Sequence, residues 1–439
     1  MNQNLMARHA LLLAALAPMG GVPLAPAAWG QAMDSVPVVT LTEARRRAAS
    51  VDPVSVAARA EGGAAAWERR AAVMDLVTPS ITAASSYTHF SEPFFNFGTG
   101  GISPNATSAT VQASYTLLGT GKIAGLKRAR ASLASAEAGE TAARFRTALE
   151  TDGAYFAVLA AHELSRAAGD RLRRADEQFG VARVRVIAGD AIASDSLQLL
   201  LEVTRASVNL LRRDSALTVA RLQLGRRIGL SQAVDAAPLD TAPPPPLPLS
   251  EQQAMEELRA RGPEVEAARS AERRAEAVLG SERALYWPNV TLGASTGAYD
   301  SEFFPSALRR TQMAVTVSLP IWNGGQREAA VARARAQRDV AQAERQDRER
   351  AAAAVMAEAY QGYQTARATI DLAQVGVAVS RETYRVQSAR YREGATTILD
   401  LLEAQVDLSE ADAALVQARY AARLALARIE ALLGRRLIE

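Results

Sequence analysis

The chain has 439 residues, of which 50 are basic and 47 acidic, with 49% hydrophobic and only 5% aromatic residues. Arginines and acids are interleaved rather than sorted by sign, which fits solvated helix faces and argues against a nucleic-acid surface. Cysteine is absent, so disulfides, thiolate chemistry and thiolate zinc sites are excluded.

Residues 1–32 read as an export signal. Arg8 and His9 precede an apolar run over 10–17, and Gly30-Gln-Ala32 offers a small-residue cleavage site. The run is too short to span a bilayer as a helix. No cysteine follows it for acylation, so the exported chain is expected without a lipid anchor.

The rest reads as one plan written twice, over 33–240 and 249–439, joined by a Pro-rich linker at 241–248. In the first copy a helix opens at Leu41-Thr-Glu-Ala, breaks near Asp52-Pro53 and resumes to about residue 77. In the second it opens at Leu249-Ser-Glu-Gln, breaks near Gly262-Pro263 and resumes to about residue 285. Each then meets a proline followed by alternation. Strands are predicted at about 79–90 and 109–118, and again at about 288–299 and 312–321. In the last of these Met313, Val315, Val317, Leu319 and Ile321 alternate with small or polar residues. One apolar face and one small-polar face over ten residues is the pattern of a transmembrane β-barrel strand. Trp287 and Trp322 flank the strands at one end. Phe90, Phe94, Phe95, Phe97, Tyr299, Phe303 and Phe304 lie at the other, as interfacial girdles do.

A glycine turn follows each strand pair, and then a long helix, at 122–186 and 326–392. The second carries an apolar heptad series, Met356, Tyr363, Ile370, Val377, Tyr384 and Tyr391, which calls for coiled-coil packing. Helical tips follow at 187–195 and 393–400, and return helices run to about 229 and 433. Gly189 and Gly394 occupy the turns, 205 positions apart, and Asp195 and Asp400 repeat the same offset. Both glycines suit a positive φ at a helix end. Thr397 with Asp400 reads as a capping box.

Four strands per chain cannot close a barrel, and lipid does not accept open sheet edges. Two chains would give eight strands and a filled interior, three would give twelve and an open lumen; three is the expectation. No nucleophile elbow, phosphate loop or zinc-binding histidine pair is present, so no enzyme activity, cofactor or metal site is expected.

The duplicated plan, the Ser318-Leu-Pro-Ile-Trp-Asn-Gly-Gly325 turn and the Tyr391-Arg-Glu-Gly-Ala-Thr-Thr-Ile-Leu-Asp-Leu-Leu-Glu403 tip resemble the TolC family of outer-membrane efflux proteins. The resemblance covers roughly residues 41–437. It implies a mainly α fold with transmembrane β: a trimeric twelve-stranded β-barrel in the outer membrane, continued by a long periplasmic α-helical barrel. It also implies a passive exit duct for efflux or type I secretion, docked by a periplasmic adaptor and an inner-membrane transporter and gated at the tips. By the same resemblance Tyr391 matches a gate tyrosine, Asp400 and Glu403 match pore-constriction acids, and Asp195 matches the partner of a gate arginine. Thr396 stands where that arginine is usual, leaving Arg390 and Arg392 as the nearest basic substitutes. A periplasmic coiled-coil adaptor without a pore is the competing reading. It accounts for the signal and the heptads but not for four amphipathic strands.

Overall fold

A computed structural model describes residues 36–438 apart from 97–99, 190–191, 241–243 and 305–307, so the export signal and part of the linker lie outside the described residues. The first repeat holds α1 (Leu41–Val51), α2 (Pro53–Val77), β2 (Ser80–Asn96), β3 (Gly101–Gly119), α3 (Thr120–Ala188) and α4 (Ala193–Arg227). It is preceded by a short strand, β1 (Val38–Val39), and followed by another, β4 (Asp235–Ala236). The second repeat holds α5 (Glu251–Arg261), α6 (Pro263–Ala284), β5 (Asn289–Asp300), β6 (Leu308–Ser318), α7 (Gln326–Arg392) and α8 (Ile398–Leu433).

Local chemistry sets the breaks. Asp52 ends α1 and caps α2, accepting from the amides of Val54 and Ser55, while Pro53 takes the first helical position where its missing N–H is harmless. Between α5 and α6 the break falls at Gly262 and Pro263, the proline again at the first helical position but with no side-chain cap. With 69 residues α3 is about 104 Å long. It packs against α2 above and α4 below, so two shorter helices stack in series beside one long one.

The heptad series packs as its spacing requires: Met356, Tyr363 and Ile370 are wholly buried, and Val377 and Tyr391 nearly so. Tyr363 and Met356 join Ala254, Leu258, Val265 and Ile429 in the core of the second repeat. Tyr155 and Phe156 sit at the centre of the matching core in the first. The described part of the linker is held at Pro245, whose carbonyl accepts from Tyr363 at 2.5 Å, and just beyond it the Leu249 carbonyl accepts from Tyr360 at 3.3 Å. Its neighbour β4 pairs in parallel with β1, Val38 against Asp235 and Val39 against Ala236. This two-residue pairing is too short to leave an alternation in the sequence.

The four long strands form one antiparallel sheet in the order β2-β3-β5-β6. The first hairpin is longer than the alternation predicts. Its strands reach Asn96 and start again at Gly101, because a register shift between His89 and Phe94 absorbs the Ser-Glu-Pro interruption. β6, by contrast, begins at Leu308 and ends at Ser318, so Leu319 and Ile321 lie beyond it.

Candidate functional site

Register fixes the two faces of the sheet, since directly paired residues point the same way. Ile81, Ala113, Ala294 and Met313 form one row across all four strands, and Tyr115, Leu292 and Val315 the next. The opposite face carries Thr82, Gln112, Ser295 and Gln312 in a row, with Ser86 and Ser108 bonded hydroxyl to hydroxyl at 2.9 Å. Over these rows one face is greasy and the other polar; farther along, the greasy face also carries Thr296 and Thr311, bonded hydroxyl to hydroxyl at 3.0 Å. Met313 is 74% exposed and Val317 68%, so the greasy face has no protein cover within the chain. β2 and β6 are the free edges. Trp287 and Trp322 stand exposed below the sheet, and Phe303 and Phe304 are exposed at its far end. Phe97 lies outside the described residues.

Where strand turns into helix, a cation lies over an aromatic ring in each repeat. Lys122 Nζ lies 4.5 Å from the centre of the Tyr115 ring and donates to the Asp75 carbonyl, while Tyr115 Oη donates to the Leu76 carbonyl at 2.6 Å. Arg327 lies 4.6 Å from the Tyr286 ring and donates to the carbonyls of Pro320 and Ile321 at 2.7 and 2.9 Å. Residues 122 and 327 are 205 apart, the offset of the tips. Sequence reasoning missed this pair, although Lys122 is one of only two lysines in an arginine-dominated chain.

At the other end of the helices the two hairpins meet in a small core of Ala182, Leu199, Tyr391, Ile398 and Leu401, with Phe179, Tyr384 and Leu402 packed on it. Gly189 and Gly394 take φ of 83° and 73°, left-handed values that close each turn. Thr397 caps α8 and forms the full capping box with Asp400. Thr396 donates to the same carboxylate at 2.8 Å. These hydroxyls and the Thr397 amide hold the Asp400 carboxyl below the usual aspartate range.

Asp195 differs from its repeat partner. It occupies the equivalent place in the first turn of α4, but the capping residue there is Ile192, which has no side-chain oxygen to offer. Among the described residues the Asp195 carboxylate accepts no hydrogen bond. It faces Tyr391, whose phenol is pushed above its ordinary pKa by burial and secondarily by this charge. The Tyr391 hydroxyl is buried without a partner, so the pair is not hydrogen bonded. Glu403 is exposed one turn past Asp400.

Arg390 and Arg392 are both exposed, and the charge of Arg390 adds to the lowering of the Asp400 carboxyl. Arg185 of α3 reaches across, donating to the Tyr391 carbonyl at 2.5 Å with its guanidinium 5.2 Å from the ring centre. Eleven residues above Gly189, Gln178 donates to Ser388 Oγ at 2.9 Å, a second tie between α3 and α7.

The outer helices of the lower half each carry an uncovered seam. On α4 the exposed residues Leu197, Leu201, Val208, Leu211 and Leu222 follow one heptad series, and on α7 Leu372, Val375, Val379 and Val386 follow another. Within the chain α4 packs chiefly on α3, and the lower half of α7 on α8.

The family model described as outer membrane efflux protein matches residues 43–230 and 254–435. Outer membrane protein OprJ of Pseudomonas aeruginosa is 29% identical over 289 residues, covering 62% of this chain and 58% of its own length. Protein CyaE of Bordetella pertussis is 33% identical over 173 residues, 38% of this chain and 34% of its own. The chain therefore aligns with less than two thirds of either curated relative. Among solved structures, the CmeC outer membrane channel of Campylobacter jejuni superposes with a TM-score of 0.77 at 16% identity, covering 95% of this chain and 94% of that one.

Proposed function

The chain belongs to the outer membrane efflux protein family, and from that premise we propose that it is the outer-membrane exit duct of a tripartite efflux or type I secretion system. The observation that carries the proposal is the sheet: four strands, greasy on one face and polar on the other, with both edges unpaired. Lipid forbids such edges. The edges are closed by other copies of the same chain, and three copies give a twelve-stranded barrel wide enough for a lumen. The exposed heptad seams on α4 and α7 support the same assembly, because each offers a neighbouring copy the coiled-coil partner its helix lacks.

In this arrangement the greasy face meets outer-membrane lipid, the polar face lines the pore, and the long helices continue the duct through the periplasm. The chain is delivered there by its cleaved export signal. The tips are the closing end, where a periplasmic adaptor docks and couples the duct to an inner-membrane transporter. Glu403 lines the constriction as a ring of three carboxylates, which favours cations. Asp195, Tyr391, Thr396 and Asp400 shape the closed tip, with Gly189 and Gly394 setting its turns. The protein supplies passage, and the transporter supplies energy and chooses the cargo. A pore-free adaptor leaves the amphipathic sheet without a purpose.

Purified protein added to planar lipid bilayers tests the proposal. Stepwise single-channel currents, lost when the assembly is dissociated by heat beforehand, are expected. A folded assembly that leaves the bilayer silent even when its tips are forced apart contradicts the reading.

A further inference from the structure

We infer that Arg185 is the latch that holds the α7–α8 hairpin against the α3–α4 hairpin within one protomer; the inference rests on the exit-duct reading. Arg185 lies in the last turn of α3, four residues before Gly189, and its repeat equivalent 205 positions on is Arg390. The repeat thus supplies arginines at both long-helix ends, but only the first turns inward. Its Nη1 donates to the main-chain oxygen of Tyr391 at 2.5 Å. Its guanidinium carbon stands 5.2 Å from the centre of the Tyr391 ring. Its Nη2 lies 3.2 Å from where a side chain on Gly394 would begin.

One side chain therefore does three things at the junction of the hairpins. It gives the Tyr391 carbonyl, which also accepts from the Gly394 amide at 3.1 Å, a second donor at the C-terminus of α7, where the helix dipole favours a cation. It covers the face of a buried aromatic ring. It also occupies the space beside the Gly394 turn, which stays open because that residue has no side chain. Tyr391 and Gly394 belong to the second repeat and the arginine to the first, so moving one hairpin past the other breaks these three contacts together. Among the described residues, what then remains of the tie is the small apolar core, the bonds from Gln178 to Ser388 and Tyr384, and Arg174 over the Tyr384 ring. The Tyr391 hydroxyl, already without a partner, adds nothing to hold the closed form. The planar fork matters as well as the charge, because donating to a carbonyl while lying over a ring is arginine geometry that lysine does not reproduce.

The test uses the whole trimer in planar bilayers. Arg185→Ala is expected to raise the open:closed ratio roughly tenfold, equivalent to about 1.4 kcal/mol, and Arg185→Lys to give a smaller rise. Because the chain has no cysteine, Gln178→Cys with Ser388→Cys places a unique disulfide across the same two helices. In the Arg185→Ala background, oxidation is expected to restore the closed fraction and reductant to release it. Where Arg185→Ala fails to assemble, Arg185→Met, which keeps the aliphatic stem, is read in the same way. Wild-type currents with an open fraction unchanged in Arg185→Ala, or raised but indifferent to the oxidised tether, overturn the latch alone. Silence from wild type and variants alike, tethered or not, overturns the exit-duct reading and the latch with it.

Discussion

Met313→Arg asks which face of the sheet meets lipid. Met313 is the central residue of β6 and 74% exposed, in a row with Ala294, Ala113 and Ile81. Gln312, its neighbour, points the other way, in a row with Ser295, Gln112 and Thr82. An arginine at the bilayer midplane on the lipid face of a barrel costs about 2–4 kcal/mol. Three copies per trimer, if independent, lose about 6–12 kcal/mol, comparable to the whole net stability of a typical domain at about 5–15 kcal/mol. Gln312→Arg puts the same group into water in the lumen and is expected to cost little. Urea titration of the folded trimer in lipid vesicles, with the yield of heat-modifiable trimer in outer membranes, reads both. Equal loss in the two variants, or greater loss from Gln312→Arg, refutes the assignment of faces.

Leu211→Asp on α4 or Val379→Asp on α7 places charge in a seam exposed in the single chain, so the trimer should dissociate in detergent while helical circular dichroism is kept; a stable trimer contradicts the seam. Tyr363→Phe removes the donor to the Pro245 carbonyl and is expected to lower stability by about 1 kcal/mol in a thermal melt; an unchanged melt means that the linker is not held by this bond. The Asp400 carboxyl titrates below the ordinary aspartate range, so its cap stabilises the folded tip above that range and is lost as pH falls through the lowered value. Hydrogen exchange at the start of α8 should therefore quicken on acidification only below the ordinary range, and Asp400→Asn should abolish that step; a step near neutral pH contradicts the assignment.

Much of this architecture is written in regular spacing. The 205-residue offset places Gly189 and Gly394 in equivalent left-handed turns, and the seven-residue series from Met356 to Tyr391 is buried but for Tyr384, which is half-buried. Period two in β5 and β6 separates greasy from polar because both faces have a different solvent. Where spacing is absent, the sequence is silent. β1 and β4 are two residues each and pair across nearly two hundred positions. The outer part of the first hairpin passes through Pro93 and Pro104, which read as loop, and only the partner strand shows that the pairing resumes.

The tip is partly legible for a related reason. The Thr397–Asp400 box is local and was visible, whereas Asp195 repeats the aspartate without a residue able to cap, so equal spacing concealed unequal chemistry. Arg185 sits in an Arg183-Val-Arg185 run that resembles an exposed helix face. Its role depends on the approach of a helix from the other repeat, and no local pattern carries that information. The same holds for Arg327, whose partners are carbonyls that the turn brings round.

Native mass spectrometry of the protein extracted in detergent from purified outer membranes tests the central claim most directly. A folded complex of three mature chains, recovered from that membrane, is predicted. Recovery from the soluble periplasm, or a stable single chain in the membrane extract, contradicts it.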